Sequence, residues 1–168
     1  MNRLFVLGGA RSGKSCYAQQ RIEAVGGKLV YIATAQAFDR EMADRIAQHQ
    51  ADRGERWRTV EAPIDLPDVI RQTAASCDAI LVDCLTLWLS NLILAEHDVA
   101  VATSALHAAL ADCSIPIAVV ANEVGLGIVP DNTLARLFRD EAGRLNQTIA
   151  TACEEVCFLA AGLAIRFK

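Results

Sequence analysis

The residues best suited to chemistry stand close to the start of the chain. Gly8, Gly9, Ala10, Arg11, Ser12, Gly13, Lys14 and Ser15 satisfy the pattern G-x-x-x-x-G-K-[ST] in full, and that pattern is a phosphate-binding loop when it lies between a strand and a helix. Glycines let the backbone curl so that successive N–H groups point inward at phosphate oxygens. The N-terminus of the adjoining helix adds a partial positive charge. Lys14 is then placed to reach the β- and γ-phosphates of a nucleoside triphosphate, and the Ser15 hydroxyl to ligate Mg2+. The alternative is an ordinary glycine-rich strand-to-helix turn. A second feature has the same logic. Ala79-Ile80-Leu81-Val82-Asp83 is an apolar run that closes on a carboxylate, so Asp83 is expected to hold Mg2+ at a strand's C-terminal edge. An Asp there can also serve as a helix N-cap.

Glu41, Arg45, His49 and Arg53 recur every four residues. On a helix they form one charged stripe, with Met42 and Ile46 on an adjacent face. A neutral imidazole at His49, with an arginine one turn away on each side, could bind a phosphate or attack one to give a phosphoramidate; the bland alternative is a solvated helix face. Residues 122–130 form a glycine-rich stretch that could act as a lid or as a simple connection stiffened by Pro130. Arg136, Arg139 and Arg144 could face a substrate phosphate or make surface ion pairs. Trp57 and Trp88 read as core or interface residues, and His97 and His107 as incidental surface ones.

The elements that must position these groups are marked by alternation of short apolar runs with helical patterns. Strands are expected over 3–8, 29–34, 57–61, 79–83, 115–121, 156–161 and 163–167, and helices over 13–24, 39–53, 66–75, 85–96, 99–111 and 134–153. Such alternation specifies an α/β domain with a mostly parallel sheet and helices on both faces. Right-handed crossovers bring the strand C-termini to one edge, where ligands bind. At 168 residues and 53% hydrophobic, the chain suits a single domain, 1–168, with a substantial core. A net charge of −4 argues against a nucleic-acid partner. The opening apolar run is too short for a signal peptide, and the stretch 85–95 is interrupted by Ser90 and Asn91, too short and too polar for stable membrane insertion. None of the six cysteines forms a Cys-x-x-Cys pair, so buried free thiols in a reducing cytoplasm are expected.

Several users of a phosphate loop are set aside by residues further along the chain. The stretch beginning Asn122-Glu123-Val124-Gly125 lacks the guanine-reading Asn-Lys-x-Asp segment of switch GTPases. A protein kinase has a different glycine loop and a longer chain. A small-molecule kinase fits the size. The runs 8–15, Tyr31-Ile32-Ala33-Thr34-Ala35, Glu41-Met42 with Arg45, Ile46, His49 and Arg53, Trp57-Arg58-Thr59-Val60-Glu61-Ala62-Pro63, Asp83-Cys84-Leu85-Thr86 and Asn122-Glu123-Val124-Gly125-Leu126-Gly127-Ile128-Val129-Pro130 together resemble the bifunctional adenosylcobinamide kinase / adenosylcobinamide-phosphate guanylyltransferase family of cobalamin biosynthesis. The resemblance runs over essentially the whole chain.

That resemblance implies a RecA-like, three-layer P-loop NTPase domain and two reactions. ATP or GTP phosphorylates adenosylcobinamide, and GTP then gives GMP to adenosylcobinamide phosphate, releasing pyrophosphate and leaving adenosylcobinamide-GDP. It implies a covalent guanylyl-histidine at His49. It also implies nucleotide contacts from residues 8–15, from Ala33, Thr34 and Ala35, from Gln50, Ala51, Asp52 and Arg53, and from Glu61 and Asp83. Arg53 would neutralise α-phosphate charge, while Glu61 could accept from guanine or orient a ribose hydroxyl. Some relatives carry Glu at position 83 or a basic residue at position 50, and the region 94–103 is shorter than in some. A homotrimer is implied. The other readings are a kinase for another small alcohol and a non-catalytic nucleotide-dependent regulator.

Overall fold

The computed structural model describes residues 2–35, 54 and 56–168. The elements run β1 (Arg3–Gly8), α1 (Lys14–Glu23), β2 (Leu29–Ala33), β3 (Trp57–Glu61), α2 (Leu66–Ala74), β4 (Ala79–Asp83), α3 (Leu85–Leu94), α4 (Val99–Asp112), β5 (Ile117–Asn122), α5 (Thr133–Ala152), β6 (Glu155–Ala160) and β7 (Leu163–Arg166). The seven strands of the described residues join one sheet in the order β3-β2-β4-β5-β1-β6-β7. Every pairing is parallel except β6 with β7.

The central strands are buried on both faces, which is why they read as continuous apolar runs. Strand side chains alternate between faces, and the core divides accordingly. Phe5 and Leu7 of β1, with Ile80 and Val82 of β4, pack beneath α2, α3, α4 and α5. Leu4 and Val6, with Leu81 and Val120, pack against Ala18 and Ile22 of α1. Three layers result. The apolar helix α3 belongs to this core, with Leu85, Trp88 and Leu89 fully buried. Trp88 also donates its indole N–H to the Ile64 carbonyl at 2.8 Å. Truncating so large a buried side chain to Ala costs about 3–5 kcal/mol.

Most element boundaries lie one or two residues from the sequence reading, two of them for identifiable reasons. Strand β5 begins at Ile117 rather than Ile115, because Pro116 has no N–H to donate to a ladder; its carbonyl accepts from Ile80 instead. Helix α5 begins at Thr133, one residue early, because the Asn132 side chain accepts from the Ala135 N–H and caps it. The β6–β7 turn is Ala161–Gly162, both at positive φ (51° and 78°), as a two-residue hairpin turn requires.

Among the described residues no helix is long and apolar enough to cross a membrane. All six cysteines are free, and Cys84, Cys113, Cys153 and Cys157 are buried. Burial pushes the Cys84 thiol up to about 11 and that of Cys153 up to about 12.

Candidate active site

Strand β1 runs directly into the glycine loop and the loop into α1, so the loop stands at the C-terminal edge of the sheet. Two glycines there are obligatory. A Cβ on Gly8 would lie 2.4 Å from the Leu159 carbonyl oxygen and 2.7 Å from Ser12 Oγ. Gly13 is the N-cap of α1 at φ +95°, and a Cβ there would meet Gly162 Cα at 3.4 Å. The hairpin turn thus backs the loop, and the Gly162 N–H donates to the Ser12 carbonyl at 3.0 Å.

Lys14 is 7% exposed and its ammonium donates to the Gly9 carbonyl at 2.6 Å. Burial lowers its pKa, and the negative charge of Asp83 works against that shift, so Lys14 lies within electrostatic reach of the β4 carboxylate. Ser12 Oγ is the sole buried side-chain polar atom among the described residues that lacks a partner. An orphaned hydroxyl inside a phosphate-type loop fits a site built for acceptor oxygens from a ligand. Helix α1 is fixed to the sheet by Arg21, which grips both Glu155 oxygens at 2.8 and 2.7 Å. These hydrogen bonds lower the Glu155 pKa despite partial burial.

Asp83 ends β4 in register with Val120 of β5 and Ala33 of β2, while Gly8 pairs with Asn122 of β5. Strand β5 therefore separates the loop from the carboxylate along one sheet edge. The N-cap of α3 is Cys84, and no side chain caps that helix, so Asp83 is not used for capping. Thr34 is fully buried, with its hydroxyl engaged by the Cys84 backbone. Glu61 is exposed at the end of β3, in register with Ala33. Four strand spacings separate it from Gly8, a distance of about 20 Å. Residues 8–15, Ala33, Thr34, Ala35, Glu61 and Asp83 thus share one edge. His49, Gln50, Ala51, Asp52 and Arg53 lie outside the described residues.

The oxygen donors on this edge suit a hard cation. Mg2+ prefers one or two carboxylates, a hydroxyl and phosphate oxygens, and Ser15 and Asp83 supply the first two kinds. Among the described residues there is no group of three or more His, Cys, Asp or Glu side chains of the sort a softer metal would need.

Residues 123–130 leave the same edge, anchored by the Glu123 N–H to the Gly8 carbonyl at 3.0 Å. Leu126, Ile128 and Val129 are strongly exposed. Arg136 donates to the Pro130 and Asp131 carbonyls, Arg139 pairs with Asp140 and Arg144 with Glu141. All three arginines therefore have local partners. Trp57 donates to Glu23 Oε1 at 3.1 Å, tying β3 to α1. His97 is exposed, and His107 approaches the Thr151 hydroxyl. Sequence reasoning missed Asn91, Thr86 and Leu159. Thr86 Oγ1 accepts from the Asn122 N–H at 2.7 Å. The one signal in the sequence is the polar break at Asn91 in an apolar helix.

Comparison with known proteins identifies the family. A sequence model described as cobinamide kinase / cobinamide phosphate guanyltransferase matches residues 4–167. The bifunctional adenosylcobalamin biosynthesis protein CobP of Pseudomonas aeruginosa is 46% identical over 168 residues, covering 99% of this chain and 97% of that protein. The bifunctional adenosylcobalamin biosynthesis protein CobU of Salmonella typhimurium is 41% identical over 180 residues, covering 98% and 99%. A solved KaiC-like protein from Pyrococcus horikoshii superposes with TM-score 0.52 at 13% identity, over 94% of this chain and 71% of that one, a likeness of fold alone.

Proposed function

This chain belongs to the cobinamide kinase / cobinamide phosphate guanyltransferase family, and on that premise we propose that it uses one nucleotide site for two transfers. In the first, the γ-phosphoryl group of ATP or GTP passes to the hydroxyl of adenosylcobinamide. In the second, the α-phosphate of GTP, with its guanosine, passes to adenosylcobinamide phosphate, giving adenosylcobinamide-GDP and pyrophosphate. The observation that carries this reading is the intact loop, with Lys14 buried where the loop enters α1, its ammonium on the Gly9 carbonyl and within electrostatic reach of Asp83.

The chain's own groups account for most of the first step. Loop N–H groups and the α1 N-terminus hold the β- and γ-phosphates, and Lys14 exchanges the Gly9 carbonyl for phosphate oxygen. Ser15 and Asp83 would hold Mg2+, which offsets charge on the phosphate oxygens when bound. For the second step, an imidazole nitrogen of His49 attacks the α-phosphorus. A P–N bond forms, the α–β bridging P–O bond breaks, and pyrophosphate leaves with the electron pair. A phosphate oxygen of adenosylcobinamide phosphate then attacks the same phosphorus and restores the imidazole. Arg53 neutralises charge at the α-phosphate, and Glu61 reads the base or ribose. The reading places the reaction in the cytoplasm and the enzyme in a homo-oligomer, a trimer as the family resemblance implies.

The test is covalent labelling. The chain is incubated with GTP labelled at the α-phosphate, denatured, and examined for acid-labile, base-stable radioactivity. Label on wild type that disappears in His49→Ala is expected. Absence of label from wild type, or equal label on the variant, contradicts the histidine step and leaves a kinase alone.

A further inference from the structure

The regular ladder stops at Ala33, which pairs with Asp83 on one side and Glu61 on the other. Beyond that level only single backbone bonds join the strand ends, the Ala62 N–H donating to the Ala33 carbonyl at 2.8 Å, and two of the proposed site carboxylates stand there. A chain of side-chain hydrogen bonds adds to them. Asn91 is 6% exposed within the apolar helix α3. Its amide donates to the Thr34 carbonyl at 2.8 Å and to the Pro63 carbonyl at 3.0 Å, using both of its N–H groups. Thr34 Oγ1 accepts from the Cys84 N–H at 2.8 Å and donates to the Cys84 carbonyl at 2.7 Å. The Thr34 N–H donates to the Asp83 carbonyl at 3.3 Å. Pro63, Asn91, Thr34 and Cys84 thus link the ends of β3, β2 and β4, with Asn91, Thr34 and Cys84 buried and Pro63 half-buried.

A polar amide in a core helix carries a desolvation cost. Fully satisfied, however, such a network specifies one arrangement of the groups it joins. What it joins is the peptide immediately after Asp83 and the backbone just past Glu61. We propose that Asn91 and Thr34 are positioning residues for the metal-bearing carboxylate. They lock the backbone after Asp83 and so aim its side chain at the phosphate loop; the Thr34 hydroxyl is committed to Cys84, so the nucleotide contact that the resemblance implies at Thr34 falls to its backbone. This rests on the proposed role of Asp83 as a Mg2+ ligand.

The test uses the full-length chain, the kinase reaction and, apart from turnover, Mn2+ binding to the GDP-loaded chain followed by electron paramagnetic resonance. The metal Kd is expected to move with the Mg2+ dependence, and an unmoved Kd overturns the proposal. Thr34→Val keeps the shape and removes the hydroxyl, Thr34→Ser restores it, and Asn91→Leu removes both amide donors. The Mg2+ concentration giving half-maximal rate is expected to rise roughly tenfold in Thr34→Val and Asn91→Leu, as losses behind a metal ligand typically do. At saturating Mg2+ the nucleotide KM of Asn91→Leu is expected to stay within about twofold of wild type, and Thr34→Ser to restore the Mg2+ dependence that Thr34→Val loses. If Asn91→Leu fails to fold, the Thr34 pair decides. Unchanged Mg2+ dependence in Thr34→Val, or Thr34→Ser no better than Thr34→Val, overturns the proposal. So does an equal rise in the nucleotide KM of Asn91→Leu at saturating Mg2+, which would mark general loosening. Asp83→Asn separates the two levels. If it leaves Mg2+ dependence at the wild-type value, the metal reading of Asp83 fails, and the positioning role falls for that reason rather than through its own geometry.

Discussion

The carbonyl oxygen of Leu159 stands 2.4 Å from the point a Cβ on Gly8 would occupy. The phosphate loop and β6 are thus in backbone contact, and neither side has a flexible atom to withdraw. Gly8→Ala must move a strand or distort the loop. It is expected to lower stability by about 1–3 kcal/mol, as overpacking does, and to weaken nucleotide binding, read by a thermal melt with and without nucleotide. A wild-type melt and unchanged affinity would contradict the contact.

The hairpin turn behind the loop makes a second prediction. Gly162 sits at φ +78° and donates its N–H to the Ser12 carbonyl. Gly162→Val places a β-branched residue in the left-handed region, at a cost of about 1–2 kcal/mol. Because the strain falls on the turn that backs Ser12, nucleotide KM is expected to rise in both transfers while the corrinoid KM does not. Steady-state kinetics with each substrate varied would read this.

The Arg21–Glu155 pair predicts a pH-dependent difference. Folding lowers the Glu155 pKa, so its contribution is fully present above the ordinary carboxylate range and is lost as pH falls through the depressed folded value. Glu155→Gln is expected to cost about 1–2 kcal/mol at pH 7, a charge-assisted pair that is partly buried. The gap between wild type and variant should narrow as pH falls below about 4.3, the ordinary Glu value. Denaturant titrations at pH 7 and pH 3 would measure it, and a gap that widens in acid would refute the assignment.

Thiol reactivity offers a fourth check. Cys16 is exposed, whereas Cys84 and Cys153 are buried with thiols pushed up to about 11 and 12. The thiolate is the reactive form, so at pH 8 a thiol reagent is expected to modify Cys16 in the native chain and to reach Cys84 and Cys153 only after unfolding. Mass spectrometry of the labelled peptides distinguishes the sites.

The order of strands and helices is legible in the sequence because parallel strands buried on two faces must be apolar throughout, as residues 79–82 and 117–121 are. The loop at 8–15 is legible because its chemistry demands both residue types and spacing. Other features depend on partners distant in sequence. Asn91 appears only as a polar break in an apolar helix, and its acceptors at Thr34 and Pro63 lie 57 and 28 residues away. The Thr34 hydroxyl looks available for a ligand until folding brings Cys84 against it. The dependence of Gly8 on Leu159 crosses nearly the full chain. For His49, spacing alone leaves a solvated helix face as the simpler reading. The family resemblance reverses that preference, and the residue lies outside those described.

A single loop serving both transfers is the core of the account, and Lys14→Ala probes it most directly. With GTP labelled at the γ-phosphate and adenosylcobinamide, the variant's phosphoryl transfer can be followed into adenosylcobinamide phosphate. With GTP labelled at the α-phosphate and adenosylcobinamide phosphate supplied directly, its guanylyl transfer can be followed into adenosylcobinamide-GDP. Removing the buried ammonium is expected to slow both by roughly 100-fold or more, the scale seen when a preorganised electrostatic group is lost. Wild-type turnover in either reaction by a folded Lys14→Ala protein would contradict the shared site.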